Sequence, residues 1–164
     1  MKTRFASLAL VALVLAGAAS VTACMPVTQT DAATTTRAQV VADARSLIGQ
    51  PYKTGGETRA EGGFDCSGLT YYSWHHHAGV VLPRTSAAQY AGTTRITKAQ
   101  LLPGDLVFYS SAGPKGAISH VALYAGNGKI IQAHKPGVPA SEDDLATWWT
   151  GHLVGYGRVD VPTT

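Results

Sequence analysis

The chain has 164 residues, an apolar content of 45% and a formal net charge of +3. This length suits one domain with little left for a second, and the apolar content is enough to form one core. The small charge and the lack of a long basic run exclude a nucleic-acid-binding protein of the usual basic kind.

The first 23 residues have the pattern of a secretory signal peptide. Lys2 and Arg4 give a positive start, and residues 5–23 carry no charge and are rich in Leu, Val and Ala. A transmembrane anchor is the alternative, because the stretch approaches the roughly 20 residues that span a bilayer. Polar and small residues such as Gly17 and Ser20 dilute its second half, which favours a cleaved signal and an exported protein.

The end of this segment, residues 21–24, reads Val-Thr-Ala-Cys and resembles a bacterial lipobox. In such sites the signal is removed just before the cysteine, and the sulfur then carries lipid. A lipid on Cys24 would hold the protein on a membrane at the cell envelope. The alternative is ordinary cleavage that leaves Cys24 unmodified. If Cys24 is lipidated, Cys66 has no cysteine partner in the chain and is either a reactive thiol or an inert buried one.

The next segment, residues 24–37, is rich in Thr and Ala and has no hydrophobic period, so it is predicted to be a flexible tether. The folded domain is predicted over residues 38–160, followed by a tail at 161–164. Apolar residues from Val40 to Ile48 recur at helical spacing, and Gly49 and Pro51 are expected to end that helix.

Two further helices and four strands are predicted. A helix over 66–78 is expected to end at Gly79, and a short helix over 85–90 begins at a capping Thr85. The second half changes to the period of strands, predicted at 106–109, 120–125, 129–133 and 153–159, with a tight turn at 126–128. Helices followed by antiparallel strands predict an α+β domain.

Cys66 is placed where a loop meets the start of a helix. The free N–H groups and the dipole at a helix start favour an anion, so a lowered thiol pKa and a nucleophilic thiolate are expected. Asp65 is expected to cap this helix, and the N–H groups are candidates for an oxyanion hole. The alternative is that Cys66 is a small core residue.

His120 begins a strand with apolar neighbours, so its ring is expected to be rigidly held. It is the candidate general base, and a satisfied core histidine is the alternative. If the turn at 126–128 is symmetric, the residue numbers of paired positions on the two strands sum to about 254. His120 then lies opposite His134, and Gln132 lies two residues away on the same face of the sheet. Both Gln132 and His134 are therefore open as the residue that orients the imidazole.

Four segments now resemble one known family. Residues 64–69 (FDCSGL), 82–86 (LPRTS), 102–108 (LPGDLVF) and 120–128 (HVALYAGNG) resemble the NlpC family of bacterial cell-wall cysteine peptidases. The resemblance covers residues 38–159. It implies a compact papain-like fold, with the catalytic cysteine at the start of a helix packed on an antiparallel sheet. It also implies hydrolysis of peptidoglycan stem peptides, typically between D-glutamate and a diamino acid such as meso-diaminopimelate.

The resemblance also implies roles for single residues. Cys66 would be the nucleophile, His120 the base and Gln132 the third polar residue, a position where many family members have His and others Asn, Gln or Glu. A neutral amide can orient the ring but cannot stabilise imidazolium as a carboxylate would. The residues implied to contact substrate are Tyr52, Asp65, Ser67, Arg84 and Ser86, each of which also has a purely structural interpretation.

No cofactor or metal is expected. The run His75–His77 invites interpretation as a metal site, but three consecutive residues cannot share one helical face, so a solvated stretch is favoured. The expected partners are peptidoglycan stem peptides and the membrane. The functions that compete with an endopeptidase are an N-acetylmuramoyl-L-alanine amidase, an inactive envelope scaffold lipoprotein and an exported toxin.

Overall fold

The computed structural model of the protein describes residues 29–161. The predicted signal peptide, the lipobox and Cys24 lie outside the described residues, as do residues 162–164 of the predicted tail. Between residues 29 and 161, no helix is both long enough and apolar enough to cross a membrane.

The described chain forms three α-helices and eight strands. The helices are α1 (Gln29–Ser46), α2 (Cys66–Ala78) and α3 (Ser86–Ala91). The strands are β1 (Glu57–Thr58), β2 (Gly63–Phe64), β3 (Thr94–Ile96), β4 (Leu106–Tyr109), β5 (His120–Gly126), β6 (Lys129–Gln132), β7 (Ser141–Asp144) and β8 (Leu153–Arg158). The predicted second and third helices and the four predicted strands are therefore confirmed, with ends that differ by at most one residue.

Six strands form one antiparallel sheet in the order β3-β8-β4-β5-β6-β7, while β1 and β2 form a separate hairpin. Successive residues of a strand point to opposite faces. Accordingly Val121 and Leu123 of β5 pack with the helices in the main core, whereas Ala122 packs in a second cluster on the other face. Helices packed on an antiparallel sheet confirm the α+β, papain-like fold class.

The β5–β6 hairpin has the register that the symmetric turn predicts. Leu123 pairs with Ile131 and Tyr124 with Ile130, and a bulge follows at Gly126. Asn127 takes a positive φ of 51° in the turn, a conformation that asparagine tolerates. This register places Gln132 on the same side of the sheet as His120.

The predicted tether over 24–37 is wrong for residues 29–37, because they form the first half of α1. Arg37 is buried and donates to Asp105 Oδ1 at 3.0 Å and to the Val159 carbonyl at 2.8 Å. This half of the helix is held by an ion pair with Asp105, the residue directly before β4, rather than by an apolar stripe. The spacing of apolar residues therefore gave no sign of the first half of α1. The folded domain begins before Ala38.

Strand β7 was also missed, because its sequence, Ser-Glu-Asp-Asp, has no strand pattern. It is an edge strand that pairs only with β6 in the sheet order, with Gln132 opposite Ser141. Pairing with a well-formed neighbour overrides its weak local preference. This edge matters because it brings a carboxylate, Asp143, next to the predicted site.

Candidate active site

The loop that leads to Cys66 is packed backbone against backbone. A Cβ added at Gly68 would lie 2.0 Å from the Gly56 carbonyl oxygen, and one at Gly63 would lie 2.1 Å from the Pro51 carbonyl oxygen. Real Cβ atoms do not approach oxygen so closely, so these positions require glycine. The close contact lays the β1–β2 hairpin against the start of α2 and puts Cys66 at its first position.

Asp65 caps α2 as predicted. Its Oδ1 accepts from the Gly68 N–H at 2.7 Å, and Arg84 donates to both carboxylate oxygens at 2.9 and 2.8 Å. Burial acts to raise the pKa of Asp65, but the hydrogen bonds from Arg84 and Gly68 outweigh it, and the pKa is lowered. Asp65 is therefore ionised beside Cys66 at neutral pH.

The Cys66 thiol is partly buried at the junction of α2 and β5. Burial raises the pKa of the thiol; the backbone N–H groups of Val121 and Ser67 hydrogen-bond the sulfur and lower the pKa only in part, and the charge of Asp65 raises it further. The lowered pKa expected from the helix start is therefore wrong for this structure. Val121 directly follows His120, so its contact fixes the sulfur beside the strand that carries the candidate base.

His120 is buried at the start of β5, and its Nε2 lies 2.7 Å from Gln132 Oε1. The Gln132 amide is oriented in turn, since its Nε2 donates to Asp143 Oδ2 at 2.9 Å. The amide oxygen must then face the imidazole, which assigns the ring proton to Nε2 and leaves a lone pair on Nδ1. Burial lowers the pKa of His120 to about 4, although the hydrogen bond that His120 donates to Gln132 opposes this shift.

This geometry decides between Gln132 and His134 as the residue that orients His120. Gln132 makes the hydrogen bond, whereas the ring of His134 meets the His120 ring edge-on at a centroid distance of 5.6 Å. Burial lowers the pKa of His134, and the nearby Lys135 lowers it further. His134 is therefore a packing neighbour that presents no cation to His120 at neutral pH.

Sequence reasoning missed Asp143 and the pair Trp148–Trp149. The Trp148 ring lies 5.1 Å from His120 and 4.9 Å from His134, so it forms an aromatic wall beside the candidate base. The adjacency of the two tryptophans was a signal available in the sequence, and the structure shows that both are only partly buried. Asp143 gave no signal, because its role depends on the edge pairing of β7.

Four of the five predicted substrate contacts surround Cys66. Burial raises the pKa of Tyr52, and the neighbouring Cys66 and Asp65 raise it further. The Ser67 hydroxyl donates to Asp65 Oδ1 at 3.1 Å and accepts from Arg84 at 3.0 Å. Ser86 differs, since it is buried at the first position of α3 and offers little surface to a substrate.

These features define a class of protein: a papain-like cysteine hydrolase domain, with a cysteine at a helix start beside a strand whose buried histidine is held by a polar side chain. The sequence model of the NlpC/P60 family matches residues 49–158, two thirds of the chain. The chain therefore belongs to the NlpC/P60 family, which confirms the resemblance.

Several known proteins are similar to this chain. A probable endopeptidase p60 from Listeria monocytogenes is 46% identical over 121 residues, which are 73% of this chain and 23% of that protein. The bifunctional muramidase/DL-endopeptidase CwlT from Bacillus subtilis is 40% identical over 120 residues, 73% of this chain and 36% of that protein.

A crystal structure of an NlpC/P60 family protein from Bacillus cereus matches with a TM-score of 0.71 at 29% identity, covering 77% of this chain and 40% of that one. The chain thus spans less than half the length of these three proteins.

Proposed function

We propose that this protein is a cysteine peptidase that hydrolyses the stem peptide of bacterial peptidoglycan. The observation that carries the proposal is the placement of three residues within an NlpC/P60 domain. Cys66 lies beside the strand that begins with His120, and Gln132 holds the His120 ring. The names of the similar proteins, an endopeptidase and a DL-endopeptidase, support cleavage within the peptide. The bond we favour joins D-glutamate to the diamino acid.

The first chemical step uses a neutral pair. At neutral pH the Cys66 thiol is protonated and the His120 ring is neutral, as the directions of their pKa shifts require. As the sulfur attacks the carbonyl carbon of the substrate, its proton passes to His120 Nδ1, the nitrogen that carries the lone pair. The Cys66 backbone N–H, at the first position of α2, has no carbonyl partner one turn earlier in the helix and is our candidate donor to the oxyanion.

The tetrahedral intermediate then collapses. His120 returns the proton to the leaving amine, and a thioester joins the substrate acyl group to Cys66. Water gives a proton to His120 Nδ1 and attacks the thioester. As the carbon–sulfur bond breaks and the acid leaves, His120 returns that proton to the sulfur, which restores the thiol and the neutral ring. Gln132 holds the ring through both steps, and Asp143 places a negative charge one hydrogen bond beyond the amide. Asp143 therefore supplies, at a distance, part of the charge that a neutral amide lacks.

The cleft beside Cys66 suits a peptide with a free amino end. Asp65 carries a negative charge at neutral pH, and Tyr52, Ser67 and Arg84 lie around it. A substrate ammonium group is attracted to this carboxylate, while Arg84 fixes the carboxylate in place. The aromatic surface of Trp148 near His120 offers a wall for the substrate on the other side.

We further propose that the protein is exported and anchored by lipid on Cys24, on the sequence of residues 1–24. Cys24→Ala is then expected to abolish incorporation of a labelled fatty acid and to release the protein from the membrane fraction. Label that persists on the variant, or an unlabelled parent protein, would contradict the anchor without bearing on the catalytic proposal.

The activity is tested by mass spectrometry of purified peptidoglycan fragments after incubation with the full chain, beside a Cys66→Ala control. We expect a pair of new fragments split within the stem peptide, which are absent with the control. Release of the intact stem peptide from the sugar would instead identify an amidase. If neither protein gives a product on several wall chemistries, the endopeptidase is rejected in favour of a scaffold.

A further inference from the structure

Three potential ligand atoms converge at the end of α2 opposite to Cys66. His76 Nδ1 lies 3.2 Å from Asp43 Oδ2 and 3.1 Å from His77 Nδ1, and His77 Nδ1 also contacts Asp43 Oδ2. Asp43 belongs to α1, so the cluster joins two helices that pack against each other. From position 66 to position 76 the helix rises about 15 Å, which separates this cluster from the candidate active site.

The two histidines converge although they are consecutive. The His76 ring stacks on Tyr72 one turn earlier, at 5.1 Å and 12°, and the His77 ring meets it edge-on at 66°. His75 points elsewhere and stacks on Tyr71. His75 thus does not join His76 and His77, and the third potential ligand atom belongs to Asp43 of α1, which the spacing within α2 cannot reveal.

Hydrogen bonding satisfies this arrangement only in part. Each Nδ1 offers one site in the plane of its ring, either a proton or a lone pair. Two protons directed at the same carboxylate oxygen repel each other, and two lone pairs leave the nitrogens and the carboxylate without a proton between them. With one proton on His77 Nδ1, that N–H donates to Asp43, but the His76 lone pair still faces the carboxylate oxygen at 3.2 Å. A cation above the triangle accepts all three lone pairs at once. The dipole at the C-terminal end of α2 also favours a positive charge there.

Two of the three edges of the triangle fit a small divalent ion, while the contact between His77 Nδ1 and Asp43 Oδ2 is shorter and would have to open when an ion binds. Tetrahedral zinc has ligands at about 2.0–2.1 Å, which places neighbouring ligand atoms about 3.3 Å apart. The two longer edges here are 3.1 and 3.2 Å. The Asp43 side chain is 11% exposed and fixed between the helices, while those of His76 and His77 are 53% and 42% exposed. The remaining coordination positions therefore face solvent.

We propose that Asp43, His76 and His77 bind one zinc-class divalent transition metal ion, with the open positions filled by water or an external ligand. Two imidazoles and one carboxylate favour zinc, nickel or copper over magnesium or calcium. Because the ligands come from α1 and α2, the bound ion links the two helices and stabilises the folded state. This site is independent of the peptidase chemistry.

The first test is equilibrium dialysis of zinc against the full chain, prepared without a histidine tag and in a background with both Cys24→Ser and Cys66→Ser, which removes the two thiols as ligands. We expect one zinc per chain. Loss of one of three direct ligands should exceed the roughly 10–100-fold cost of losing a supporting residue, so His77→Ala and Asp43→Asn should each weaken binding by about 100-fold or more. His75→Ala is the matched control and should bind as the parent does.

Thermal unfolding gives a second, independent result. Zinc at about a hundredfold above its dissociation constant should raise the melting temperature by about 5–11 °C, and magnesium should not. The rise should be absent in Asp43→Asn. His77→Gln replaces His77→Ala if circular dichroism shows that the latter is unfolded. Absence of zinc uptake by the parent, or equal uptake by the parent, His77 and Asp43 variants, overturns the proposal.

Discussion

Two buried polar networks lie on the sheet of this molecule, and they differ in charge. In one, Asp105 is fully buried and accepts from Arg37 at 3.0 Å and from Arg158 at 2.8 Å, so the buried carboxylate is paired with two guanidinium groups. In the other, the buried His120 and Gln132 are both neutral, and the charge of Asp143 lies at the edge. A buried charge that is fully paired holds elements together, whereas a buried neutral base can take up a proton when a reaction delivers one.

His120→Ala breaks the neutral network and should give the largest effect. Removal of the base is expected to lower kcat/KM for stem-peptide hydrolysis by about 10⁴-fold, because the Cys66 proton then has no acceptor. The melting temperature should fall much less than in the Asp105 variant below. Fragment release measured by chromatography tests the first statement, and a rate within tenfold of the parent would mean that another group is the base.

Asp105→Ala breaks the charged network. Two arginines lose a buried partner, and a loss of about 3–5 kcal/mol in the free energy of unfolding is expected. Urea denaturation measures it, with Glu142→Ala as a control that breaks only the exposed ion pair with Arg45. The activity of the folded fraction should stay close to that of the parent, so a selective loss of kcat in stable protein would contradict a structural role.

The dependence of folding stability on pH should test the neutral network around His120. The folded-state pKa of His120 is about 4 and its unfolded value is about 6.5, so the unfolded state binds the proton first. The stability that this group contributes is complete above about pH 6.5 and is lost as pH falls towards 4, by about 3 kcal/mol in all. His120→Gln should therefore flatten the stability profile between pH 6.5 and 4, and an unchanged profile would exclude a buried neutral imidazole.

Gln132→Ala tests how the neutral network is oriented and should have the smallest effect of the four. Without the amide the ring loses its fixed tautomer, and a fall in kcat of about 10–100-fold is expected. His134→Ala is the matched control, since it removes an aromatic neighbour but no hydrogen bond, and it should change kcat less than tenfold. The reverse order of the two variants would make His134 the orienting residue.

The sequence predicted what depends on local patterns. The bounds of α2, its cap at Asp65 and the β5–β6 register follow from turn residues and short-range periodicity, and all three are confirmed. The first half of α1 was not predicted, because Arg37 binds Asp105 from 68 positions away. Contacts of that range leave no periodic trace in the chain.

The candidate active site also combines residues that local motifs reveal with residues that only the folded structure brings together. Cys66 and His120 stand in motifs that the family resemblance identifies, whereas Asp143 reaches Gln132 only through the pairing of an edge strand. Asp43 likewise meets His77 only because α1 packs on α2. The expected lowering of the Cys66 pKa was wrong, because a helix start says nothing about how deeply the thiol is buried.

The protonated state of Cys66 bears on how long the protein survives outside a reducing compartment. Oxidation to sulfenic acid and attack on stray electrophiles both proceed through the thiolate. With the thiol pKa raised by burial, little thiolate exists until a bound substrate draws the proton to His120. The resting protein is therefore chemically durable: peroxide and iodoacetamide should inactivate it more slowly than they modify an exposed, unperturbed cysteine.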